Sequence, residues 1–195
     1  RRVVAGGARI ERLVCHPRLP LVAGLDAERP AVHVWDLGGA EPREVAVVDG
    51  DATPYDEAEP WTRLEDTPCA GWHPHDPLLA LGSTGSGLRL WSPAGGVVTP
   101  DGPPPGTDYH AVAFSPDGGT VWASPATGPE IVDPDGDPDG DWDGSHAVDL
   151  ASGTLRTGPW WDTGLSPHPG GRLAFAFSSD QAATRGLFVR VDGGR

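Results

Sequence analysis

Apolar positions along this chain fall into short runs broken by prolines, and one order of runs appears four times. The copies are LVCHPRLPLVAG, AGWHPHDPLLALG, AVAFSPDGGTVWAS and TGLSPHPGGRLAFAF. Each joins a small or apolar run to a second one through a Pro-containing turn. Aligned on Pro17, Pro74, Pro116 and Pro167, the copies are 57, 42 and 51 residues apart. Self-similarity at this period marks a repeat architecture. The shortest gap suits four short antiparallel strands, and the longer gaps carry loops. In Ala31–Leu37 the side chains alternate, with Val32, Val34 and Asp36 on one side and His33, Trp35 and Leu37 on the other. That period-two pattern predicts a strand with both faces partly covered.

The first copy predicts strands at Arg9–Cys15, Leu21–Gly24, Ala31–Leu37 and Arg43–Val48. The second predicts Ala70–Trp72, Leu78–Leu81, Gly87–Trp91 and Gly96–Thr99. The third predicts Ala111–Phe114, Val121–Ala123, Glu130–Val132 and Ala147–Leu150, with Thr154–Arg156 extending the outer edge. The fourth begins near Trp160 and includes Leu173–Phe177 and Leu187–Val191. Arg2–Val4 reads as an outer strand of a preceding unit or a closing strand. No segment predicts a helix, because prolines interrupt every candidate but the short Ala182–Arg185.

Composition supports many short strands and tight turns: 28 Gly and 22 Pro in 195 residues. The net charge of −14 repels phosphate backbones, and the arginines are scattered, so nucleic acid is not an expected partner. No apolar run approaches the length of a membrane span, and no signal peptide is visible. Lys, Asn and Met are absent, which fits a GC-rich coding bias; the lack of Met predicts that Arg1 is not a translation start. Cys15 and Cys69 lie at offset places in adjacent copies and read as buried small residues. A cytoplasmic location follows as an expectation.

Three motifs carry a family resemblance. Phe114-Ser115-Pro116-Asp117-Gly118 resembles the turn between the innermost strand and the next in a bacterial WD40-type β-propeller. Val34-Trp35-Asp36-Leu37 resembles the end of the third strand of such a blade, with Leu90-Trp91-Ser92-Pro93 as a degraded copy. Ala147–Gly153 resembles an outer strand with its terminal turn. The Gly-His pair that opens a repeat in that family is not evident. The resemblance implies an all-β propeller of about four WD40-like blades, at 9–50, 69–100, 109–157 and 160–195, with insertions at 51–68 and 133–146. Such rings close with about six to eight blades. The remaining blades are therefore expected in the same or another chain, since an unpaired edge is association-prone.

Several residues invite a chemical reading. Asp133 to Asp143 alternate as DPDGDPDGDWD, and Asp135-x-Asp137-x-Asp139-Gly140 matches the opening of a calcium loop, with Asp141 following. The frame's twelfth position is His146 rather than Glu, so the leading reading is an exposed acidic connector and calcium is the alternative. His16, His73, His75 and His168 lie at the Pro turns and read as turn-capping or exposed residues rather than a metal set. Ser115, His110 and Asp117 do not form a nucleophile elbow, because Asp117-Gly118 explains the serine as part of a turn. Trp35, Trp72, Trp91 and Trp122 fall in strands and read as packed between blades. Tyr55, Trp61, Trp142, Trp160 and Trp161 fall in or beside loops and are the interface candidates.

The expected function is a noncatalytic protein-interaction, scaffold or sensor module within a larger bacterial protein, with no cofactor required. One alternative is a propeller hydrolase, lactonase-like, with Asp108, Glu130 or Asp162 in a central channel. The other is an architectural ring gating an attached ATPase, kinase or protease domain. Fold class alone does not choose among these.

Overall fold

The computed structural model describes residues 7–50, 69–83, 87–103, 107, 109–125, 145–158, 166–167, 173–180 and 183–190. These form an all-β fold of three four-stranded antiparallel sheets and one three-stranded sheet. Sheet one holds β1 (Ile10–Cys15), β2 (Leu21–Asp26), β3 (Ala31–Asp36) and β4 (Arg43–Asp49). Sheet two holds β5 (Cys69–Trp72), β6 (Leu79–Ser83), β7 (Gly87–Ser92) and β8 (Gly96–Val98). Sheet three holds β9 (Tyr109–Phe114), β10 (Thr120–Pro125), β11 (Ser145–Asp149) and β12 (Leu155–Gly158). Sheet four holds β13 (Ser166–Pro167), β14 (Leu173–Asp180) and β15 (Ala183–Arg190). Every strand pairs with its chain neighbour, and the first strands pack in succession, β1 on β5, β5 on β9 and β9 on β13.

Alternation places one row of side chains on each sheet face, and stacking buries both rows. Leu21, Ala23, Leu25, Val32 and Val34 of sheet one pack against Trp72, Leu79, Leu81 and Trp91 of sheet two. Ala80, Leu88 and Leu90, on the other face of sheet two, meet Tyr109, Phe114, Val121, Ala123 and Val148 of sheet three. A fully buried side chain of this kind contributes about 1.5–3 kcal/mol. Gly71 permits the close approach of β5 to β9. A Cβ there would stand 2.8 Å from the Val112 carbonyl oxygen.

The free face of sheet one carries Leu13 and Val47, which are 62% and 42% exposed. Cys15 lies on this face, opposite Val22, and is exposed. That corrects the expectation of two buried cysteines. Trp72 and Phe114, at the equivalent strand end in sheets two and three, are covered by the preceding sheet. No described sheet packs behind Cys15.

The third copy also differs from expectation. Ala147–Asp149 belongs to the third strand, paired with β10 through Val121↔Val148, and Leu155–Gly158 is the fourth. Glu130–Val132 lies outside the described residues. In sheet four, Pro167 pairs with Ala174 inside the ladder instead of standing in the turn. No helix among the described residues is long and apolar enough to cross a membrane.

Candidate functional site

The sheets share two ends with different chemistry. At one end stand the Pro turns. In each of the first three sheets the residue after the first strand receives the same closing bond: His16 N–H donates to Leu21 O, His73 N–H to Leu78 O and Ser115 N–H to Thr120 O, at 2.8–2.9 Å. The side chain of that residue then caps the turn. His16 Nδ1 accepts from the backbone N–H groups of Arg18 and Leu19, both at 3.0 Å. His73 Nδ1 accepts from His75 and Asp76 at 3.2 and 2.8 Å. In the third turn Ser115 Oγ accepts from Thr120 N–H at 3.0 Å and donates to Asp117 Oδ1 at 2.5 Å. These bonds, with one from Gly119 N–H, hold the Asp117 carboxyl below its usual pKa. The reading of His16 and His73 as turn caps thus has a geometric basis, and His75 is exposed.

The turns also touch one another. His16 Nε2 lies 2.9 Å from Asp76 O of the second turn. The Trp72 indole N–H donates to Val14 O of sheet one at 2.9 Å. His73 stands edge-on to Phe114, ring centroids 5.1 Å apart, with Gly118 of the third turn as a backbone hydrogen-bond partner.

Toward the opposite end Asp26, His33 and His146 are buried, while Glu44, in register with Trp35, is exposed and reaches back to His33. His33 Nδ1 donates to Glu44 Oε1 at 2.6 Å, and its Nε2 is 3.5 Å from Asp26 Oδ2. Asp26 also accepts from Glu28 N–H and Arg29 Nε–H. The Trp35 ring stacks on His33 at 5.6 Å. In sheet three, Tyr109 OH and His146 Nδ1 are hydrogen-bonded at 2.7 Å. His146 is therefore a buried strand residue in β11, and the last two positions of the 133–146 insertion are strand. Nothing in sequence spacing joins Asp26, His33 and Glu44. They meet across three strands, and only pairing register brings them together.

No acyl-transfer arrangement forms around Ser115. His110 sits at the other end of β9, with Nδ1 2.7 Å from Pro125 O. Among the described residues no group of three or more His, Cys, Asp or Glu is placed to hold a metal ion. The acidic run Asp135, Asp137, Asp139 and Asp141 lies outside the described residues, as do Tyr55, Trp61, Trp142, Trp160, Trp161, Asp108, Glu130, Asp162 and His168.

Cys69 donates its thiol to Tyr109 O at 3.2 Å. Burial pushes its pKa up to about 12. A disulfide-exchange reagent at pH 8 is expected to titrate one thiol, Cys15, in the native protein, and the second only in denaturant. Two thiols reacting at equal rates in the native state would contradict the burial of Cys69.

No family model matches the chain, and no curated protein matches it. Solved structures do. TolB from Acinetobacter baumannii aligns with a TM-score of 0.58 and 12% identity over 96% of this chain and 42% of that one. Hydrazine synthase from Kuenenia stuttgartiensis aligns with a TM-score of 0.63 and 10% identity over 97% of this chain and 50% of that one. The chain thus spans half or less of the length of these structures. The likeness is a distant one to β-propeller proteins at large and does not single out the WD40 kind. It concerns the fold alone.

Proposed function

We propose that this chain is a noncatalytic interaction module of propeller type that docks a basic protein partner at the end of its sheets opposite the Pro turns. The observation that carries this is where the charge leaves the fold. Segment 51–68 has six acidic residues and one Arg, and segment 126–144 has seven acidic residues and no basic one. Together they hold twelve of the fourteen net negative charges. They connect β4 to β5 and β10 to β11, so they depart from Asp49, Cys69, Pro125 and Ser145. Those strand ends are linked: Arg89 Nη1 donates to Asp49 O, Cys69 to Tyr109 O, and Tyr109 pairs with Pro125. Concentrated charge of one sign steers an oppositely charged partner and sets its orientation. Tyr55, Trp61 and Trp142 stand within the same two segments and would supply the aromatic contacts.

The absence of Lys from the chain makes a clean test. Carbodiimide joins carboxylates to amines, so a cross-link from these residues to a lysine reaches outside this 195-residue stretch. In native extract we expect cross-links concentrated on the acidic residues of 51–68 and 126–144, weakening as salt rises. Cross-links centred instead on Asp76 and Asp117 of the Pro turns would overturn the proposal.

A further inference from the structure

His16 and His73 have a second feature beyond capping their turns. Each ring uses both nitrogens, and the two uses require a single protonation state. Nδ1 of each ring accepts two backbone N–H groups. A nitrogen that accepts carries no proton, so the proton sits on Nε2. His16 Nε2–H therefore donates to Asp76 O in the next turn. His73 Nε2 lies against Gly118, its backbone partner in the turn after that. Both rings are buried. The third turn does the capping job with Ser115 Oγ, which does not titrate in this range.

We infer that His73 is a proton-operated latch in the seam that His16 and His73 hold between the first three sheets. Neutral rings hold turn to turn. A second proton on His73 lands on Nδ1, removes the acceptor from the His75 and Asp76 N–H groups and places a cation in a buried seam. The release is local, because the strand ladders contain neither imidazole.

The charged surroundings are few. His16 shares its turn with Arg18, meets the Trp72 ring at 5.2 Å and faces Asp76 across the seam. His73 has Asp76 Oδ2 at 3.6 Å and the His75 ring at 5.9 Å from its own turn, with His16 from the first turn. From the third sheet it meets Phe114 and Gly118, while Asp117 is bound to Ser115 and Gly119. Burial holds the His73 pKa below its usual value, with Asp76 pulling the other way. A histidine depressed in the folded state binds more protons once released. Its stabilising effect is complete above the unfolded value of about 6.5 and is lost as pH falls through the folded value.

Amide hydrogen exchange of the intact protein between pH 7.5 and 5.5, corrected for intrinsic rates, tests this. The amides of His75 and Asp76 are expected to lose protection by up to about tenfold per pH unit below about 6.5. Gly119 and Thr120, held by Asp117 and Ser115, should keep theirs. Equal loss of protection at Gly119 and Thr120, or none at His75 and Asp76, overturns the latch. The variant His73→Asn keeps an acceptor at the Nδ1 position without a titrating ring. It should make the two amides insensitive to pH, and retention of the same pH response would also overturn the proposal.

Discussion

Trp72→Ala is expected to destabilise the protein by about 3–5 kcal/mol, the range for removing a buried aromatic side chain. Trp72 is 7% exposed and sits where the first two sheets meet. Its ring lies 6.4 Å from Trp91 in an edge arrangement and 5.2 Å from His16. Its truncation opens a cavity beside Leu79 and removes the N–H that binds Val14 O. Trp72→Phe restores most of the volume without that donor and should lose about 0.5–1.5 kcal/mol, the net value of one hydrogen bond. Urea denaturation followed by circular dichroism measures both. A change below about 1 kcal/mol for the alanine variant would mean that the seam lies outside the cooperative core.

Gly118→Ala should be nearly as damaging, for a different reason. Gly118 has φ of +81°, in the left-handed region. A side chain there costs about 1–2 kcal/mol in backbone strain. The added Cβ would also overlap the His73 ring, forcing it off the two N–H groups it caps. Lost hydrogen bonds at about 0.5–1.5 kcal/mol each bring the expected total to about 3 kcal/mol. Gly119→Ala is the control. Its Cβ would meet only Asp117 at 3.6 Å or beyond, and its φ is not in that region, so it should lie within about 1 kcal/mol of the parent. Equal effects at both positions would remove the special role of Gly118.

Strands with two buried faces are legible in the sequence, and so are exposed ones bounded by turn residues, since Arg9–Cys15, Arg43–Val48 and Gly96–Thr99 meet β1, β4 and β8. In β3, Val32 and Val34 alternate with His33 and Trp35, and the expected run Ala31–Leu37 meets the observed Ala31–Asp36. The turns were legible because His-Pro and Ser-Pro-Asp-Gly restrict the backbone locally. In the third sheet the expected outer-edge extension Thr154–Arg156 overlaps the fourth strand Leu155–Gly158, while Ala147–Asp149, expected as the fourth strand, is part of the third. In sheet four, β14 continues through Ser178, Ser179 and Asp180 because each pairs with β15, not because the residues are apolar. The seam lay beyond sequence reading for another reason. Histidine before proline is visible, but which ring nitrogen accepts and which donates depends on the next turn, about sixty residues along.

The seam between sheets one and two is directional. His16 gives a proton bond forward to the second sheet, and Trp72 gives one back to the first, from positions that are not equivalent. Such a contact is head-to-tail: it joins one face of a sheet to a different face of the next, whereas a two-fold interface joins a patch to itself. Neighbours joined this way follow one another in a single rotational sense. A unit duplicated whole would carry its own donor and its own acceptor, so the array lengthens without any new kind of joint.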